Sequence, residues 1–90
     1  MIAVEALSNS DWLVTVKAGT TTKHRVRVMP DDVRLFGGEN VSAEQLLQAS
    51  FRFLLDRESN TSILSSFDLP VIGCYFPEYE KEIDRYLADE

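Results

Sequence analysis

The chain is poor in the residues that build covalent and metal-bound frameworks, with one cysteine and one histidine among 90 residues. A single thiol closes no internal disulfide, and one Cys with one His falls short of the ligand set of a structural zinc site. A disulfide-stapled scaffold and a zinc module are therefore excluded, and the cysteine usage predicts a reducing, cytoplasmic setting. Long apolar runs are also missing. Phe53-Leu54-Leu55 and Val71-Ile72-Gly73-Cys74-Tyr75-Phe76 are the longest, far below the ~18 residues of a membrane span. The opening Met1-Ile2-Ala3-Val4-Glu5 has neither the basic nor the apolar region of a secretory signal. A soluble protein with no membrane partner is expected. Internal repeats and low-complexity tracts are absent as well.

What is present is ordinary globular material, 44% hydrophobic and 27% charged, enough for one small core spanning residues 1–90. The net charge of -6 is uneven: residues 1–57 carry seven acids and seven Lys/Arg, whereas residues 58–90 carry eight acids against Lys81 and Arg85. An acidic surface repels phosphate backbones, so nucleic acid is not the expected partner of the whole domain.

The pattern predicts an α+β fold, a three-stranded antiparallel β-meander over 1–29, a loop over 30–41, and three to four α-helices over 42–90 packed on one face of the sheet. Alternation with period two sets Ile2, Val4 and Ala6, then Trp12, Val14 and Val16, then Val26 and Val28 on one face. Pairing Val14 with Val26 and Trp12 with Val28 implies a five-residue loop near Gly19. Residues 30–41 hold Pro30, Asp31, Asp32, Gly37, Gly38 and Asn40, turn formers that leave room for at most one helical turn.

Ser42-Ala43-Glu44-Gln45 is a capping box, and Val41 with Leu46 forms a hydrophobic staple around it, so a helix starts there and runs to about Arg57. Phe51 and Phe53 lie about 200° apart on that helix, which must then be covered on two sides. A short helix through Ile63–Phe67, capped by Asn60 or Thr61, is expected next, and another over Leu69–Phe76. A closing amphipathic helix follows Pro77, with Tyr79, Ile83, Tyr86 and Leu87 on one face.

The stretch Phe51-Arg52-Phe53-Leu54-Leu55-Asp56-Arg57-Glu58, with Ser62-Ile63-Leu64, Phe67-Asp68-Leu69, Ile72 and Tyr75-Phe76-Pro77-Glu78-Tyr79, covers about the last half of the chain. It resembles a group of short uncharacterised bacterial proteins. The resemblance implies a bacterial, cytosolic origin and brings no activity, cofactor or site residue with it.

No constellation reaches a catalytic or cofactor signature, and no cofactor is expected. Cys74 and His24 fall on different elements, Cys74 reading as a small buried hydrophobe and His24 as a residue at the sheet edge. Glu78, Glu80, Glu82 and Asp84 interleave with Lys81 and Arg85, which suggests a solvated helix face with pairs such as Glu78–Lys81. Ile63–Phe76 mimics a helix-turn-helix, but its second half has no basic side chain to read bases.

Two surfaces remain. Among Phe53, Tyr75, Phe76, Tyr79 and Tyr86 most should bury against the capped helix, and those that a 90-residue chain leaves uncovered would form an aromatic interface rimmed by acids, suited to a protein partner or to a homodimer. Lys23, Arg25 and Arg27 form a basic row on the outer sheet face that could meet an anion, though pairing with Glu5, or contact with the acidic C-terminal third of another copy, explains it at least as well. The leading expectation is a non-enzymatic interaction module or small regulatory subunit, followed by an anion- or nucleic-acid-binding module, with an enzyme third.

Overall fold

The computed structural model describes residues 1–89. Strands β1 (Ile2–Ala6), β2 (Asp11–Ala18) and β3 (Thr20–Arg27) form the antiparallel meander. A fourth strand, β4 (Ser66–Asp68), adds to β3 in parallel, so the sheet is four-stranded and mixed, in the order β1-β2-β3-β4. The expected register is corrected by two residues: Trp12 faces Val26, and Val14 faces His24. Gly19 is the cause. Its φ of +82° lets the chain reverse between Ala18 and Thr20, and the β-branched Thr20, Thr21 and Thr22 extend the strand instead of forming a loop. A shift of two preserves which side chains point inward.

The 30–41 segment is more ordered than its turn formers suggest. Helix α1 (Pro30–Asp32) continues into a π-helical turn, Val33–Gly37, which stops at Gly38 with φ +85°. Proline is tolerated at a first helical position, where its missing N–H costs nothing. Asp32 Oδ2 accepts a 2.9 Å bond from the Met29 N–H. Phe36 then buries against Tyr79, with ring centroids 5.0 Å apart.

Helix α2 (Ala43–Leu55) begins at the predicted capping box. Ser42 Oγ accepts from the Gln45 N–H at 3.1 Å, and Gln45 Oε1 accepts from the Ser42 N–H at 2.9 Å. It is the middle layer of the protein. Phe51 faces the sheet, 5.4 Å from the His24 ring and 6.2 Å from Phe67. Phe53 faces away from the sheet, against Phe76, Tyr79 and Tyr86 at 6.0, 5.2 and 5.7 Å. Both phenylalanines are fully buried. Helix α4 (Tyr79–Ala88) supplies much of that second cover, and Tyr79 Oη lies 2.7 Å from Ser50 Oγ. Truncating either phenylalanine to alanine is expected to cost ~3–5 kcal/mol.

The helix expected through Ile63–Phe67 is absent. A 3-10 turn, Asn60–Ser62, leads instead into β4. Asn60 caps nothing. Its side chain is buried and donates to Thr20 O at 2.7 Å and to Thr22 Oγ1 at 3.1 Å. The Arg25 N–H bonds Ser65 O at 2.8 Å and the Leu69 N–H bonds Arg27 O at 2.9 Å, so the segment is held extended along β3. Helix α3 is correspondingly short, Val71–Tyr75, and Leu69 is a core residue rather than its start.

Candidate functional site

Each predicted site residue has a definite place, and the aromatic cluster divides. Phe53 and Tyr79 are 0% exposed, so the expectation that they line a surface is corrected: the two flanks of α2 are covered within this chain, by the sheet and by α3 and α4. Tyr79 is interior enough that burial raises its phenol pKa well above the ordinary value, an effect the Ser50 hydrogen bond only partly opposes. Tyr86 is half-buried, its hydroxyl donating to Asp56 Oδ2 at 2.6 Å. Phe76 is also half-buried, whereas Tyr75 is 66% exposed.

The last helix is less solvated than its charge pattern suggests. Arg57 sits 3.7 Å over the Phe53 ring. It donates from Nε to Glu78 at 2.9 Å and pairs with Glu82 at 3.2 Å. Glu78 thus belongs to Arg57 rather than to Lys81, and that bond lowers its pKa.

The basic row is partly neutralised. Arg25 and Arg27 both reach Asp11, at 3.0 and 3.3 Å, and their hydrogen bonds lower the Asp11 pKa. Asp11, not Glu5, is the partner, and its carboxylate sits where an external anion would meet the two guanidinium groups. Lys23 faces Thr15 across the strand pair.

His24 and Cys74 exchange the places expected of them. His24 is buried, because parity with Val26 and Val28 turns it inward. Its Nδ1 lies 2.8 Å from Leu64 O, and a carbonyl only accepts, so Nδ1 carries the proton. Nε2 lies 2.8 Å from Thr22 Oγ1. Cys74 is exposed on α3, away from a core histidine whose ring nitrogens are both engaged. Among the described residues no three His, Cys, Asp or Glu side chains converge on a metal position, and no helix is long and apolar enough to cross a membrane.

The feature that sequence reasoning missed is a cleft between the extended 63–67 segment and α3. Leu54, Ile63, Phe67 and Ile72 form its apolar floor and walls. Leu64 and Tyr75 stand on its lips, 45% and 66% exposed. Glu58 lines both the central recess and the adjoining lobe, and burial raises its pKa. The recess holds about 30 Å³ and the lobe about 160 Å³, both below the ~300–1,000 Å³ of a pocket that encloses a small-molecule ligand. Larger hollows exist, such as one of about 360 Å³ lined by Glu44, Gln45, Gln48 and Arg52, but its walls come from one helix and do not converge on a ligand.

The hydrogen bonds to Leu64 O and from Asn60 hold one wall of the cleft to β3, which gives the exposed lip a firm base. The sequence singled out Tyr75 and Phe76 on one wall but not the facing wall, which depends on Ile63–Phe67 being extended rather than helical. Comparison with protein-family models, with curated proteins and with solved structures finds no match to this chain.

Proposed function

We propose that the protein is a non-enzymatic docking module that binds another protein through the cleft between residues 63–67 and α3. The observation that carries this reading is the pair of exposed apolar side chains, Leu64 and Tyr75, on the two lips of an apolar cleft. Tyrosine beside a desolvated apolar floor is the composition of an interface hot spot, and the small recess suits an inserted side chain better than an enclosed metabolite. The interface is thus narrower than the five-aromatic cluster expected from sequence: it keeps Tyr75 and Phe76, adds Leu64 and Ile63, and loses Phe53 and Tyr79 to the core.

The test is affinity capture from cells of the source organism with wild-type protein, with Leu64→Asp or Tyr75→Asp, and with Lys23→Ala as a control on the opposite face. A stoichiometric protein held by wild type and by the control, and lost with both cleft variants while their circular dichroism is unchanged, supports the reading. Equal capture by all four proteins overturns it.

A further inference from the structure

The cleft contains one group that an apolar ligand alone leaves unsatisfied. Glu58 follows α2 and lines both parts of the cleft. Its carboxylate receives no ion pair or hydrogen bond from any described residue. Arg57, its neighbour in sequence, is engaged elsewhere, over Phe53 and onto Glu78 and Glu82. Covering this carboxylate with purely apolar surface would strip its remaining water without replacement, which is unfavourable for a charged group. An acidic partner would add repulsion to that cost.

Long-range electrostatics points the same way, since residues 58–90 hold all of the chain's net charge of -6. Such a surface draws cationic segments toward it and repels anionic ones.

Resting on the docking reading above, we propose that the cleft's partner is a protein segment presenting an aliphatic or aromatic side chain beside a lysine or arginine. The apolar group seats on Leu54, Ile63 and Ile72, and the cation pairs with Glu58. Arginine is the better match, because its planar guanidinium can meet both carboxylate oxygens while its stem lies along Tyr75 or Phe76.

The test pans the full chain against a displayed library of random short peptides. Enriched peptides are expected to place Lys or Arg next to Leu, Ile, Phe or Trp. Binding of the tightest should fall about tenfold or more on Glu58→Gln. Glu58→Lys should recover binding to the same peptide with its cation changed to glutamate, a rescue that a merely structural role for Glu58 does not produce. Peptides without a cation, or binding indifferent to Glu58→Gln yet lost on Leu64→Asp, overturn the cation inference and leave the docking reading standing. Peptides indifferent to Leu64→Asp, or no enrichment at all, overturn both. A concentration-dependent dimer in sedimentation that excludes the peptides assigns the cleft to a second copy of the chain and overturns the inferred partner.

Discussion

Tyr79 Oη and Ser50 Oγ lie 2.7 Å apart where α4 crosses α2, both side chains without solvent exposure. Removing one hydroxyl strands the other in the core. Ser50→Ala is expected to cost ~1–3 kcal/mol, and Tyr79→Phe a similar amount. The double variant should cost less than the two single changes added together, because it leaves neither group unsatisfied. Urea denaturation of the four proteins checks the cycle, and strict additivity would refute the assignment.

Asn60 and His24 join the cleft wall to β3, so their loss should be felt both in stability and at the docking surface. Asn60→Ala removes bonds to Thr20 O and Thr22 Oγ1, and ~1–3 kcal/mol is expected to go with them. Amide hydrogen exchange should accelerate over residues 63–67 more than in α2. Uniform acceleration through the whole chain would mean that the segment has no separate anchorage.

Gly19 turns the chain between β2 and β3 at φ +82°. A side chain there meets no neighbouring atom, so the effect of Gly19→Ala is purely one of backbone conformation, ~1–2 kcal/mol of lost stability. Thermal denaturation gives the value. An unchanged midpoint would place the turn elsewhere and restore the five-residue loop implied by pairing Val14 with Val26.

Two carboxylates make opposite predictions with pH. The Glu58 pKa is raised by burial, so in the window between its unfolded and folded values the folded protein binds more protons, and stability falls as pH rises through that window. Glu58→Gln removes the fall. Its stability should therefore exceed that of wild type at neutral pH by no more than ~0.5 kcal/mol, since much of the carboxylate remains solvated. The Asp11 pKa is lowered, chiefly by Arg25 and then by Arg27. Its contribution is present above the unfolded carboxylate value and is lost as pH falls through the lowered one. Denaturation across the acidic range, with Asp11→Asn and Glu58→Gln beside wild type, separates the two signs.

Asp11→Asn has a second consequence, because it releases Arg25 and Arg27. Sulfate should then shift their side-chain resonances, while leaving wild type little changed in the same titration. Equal shifts in both proteins would show that Asp11 does not compete for the guanidinium groups.

How much of this could be read in the sequence depends on how local each cause was. The start of α2 is written in four consecutive residues, Ser42 to Gln45, and both hydrogen bonds of that box are formed. Strand parity was equally legible, and it survived a register error of two. Parity also contained the burial of His24, two residues from Val26 on the same face, although polarity argued for an edge position. The region after α2 was harder. Ile63, Leu64 and Phe67 have helix-like spacing, and only the distant His24, Arg25 and Arg27 decide that the segment lies extended. The cleft went unseen for that reason. The fate of Phe53 and Tyr79 was a matter of counting cover: an apolar helix needs two covered flanks, and this short chain supplies both.

The parallel pairing of β3 with β4 also sets an order of assembly. Strands β1 to β3 are joined by short turns, whereas the His24–Leu64 contact spans 40 residues of sequence. Closing a loop of that length is entropically costly before its contacts form. The meander is therefore expected to be native-like in the folding transition state, with β4 zipping onto it late. Substitutions at Asn60 or Phe67 should chiefly accelerate unfolding, while those at Val14 or Val26 slow folding. The wall of the docking cleft is, on this view, the last part of the sheet to arrive.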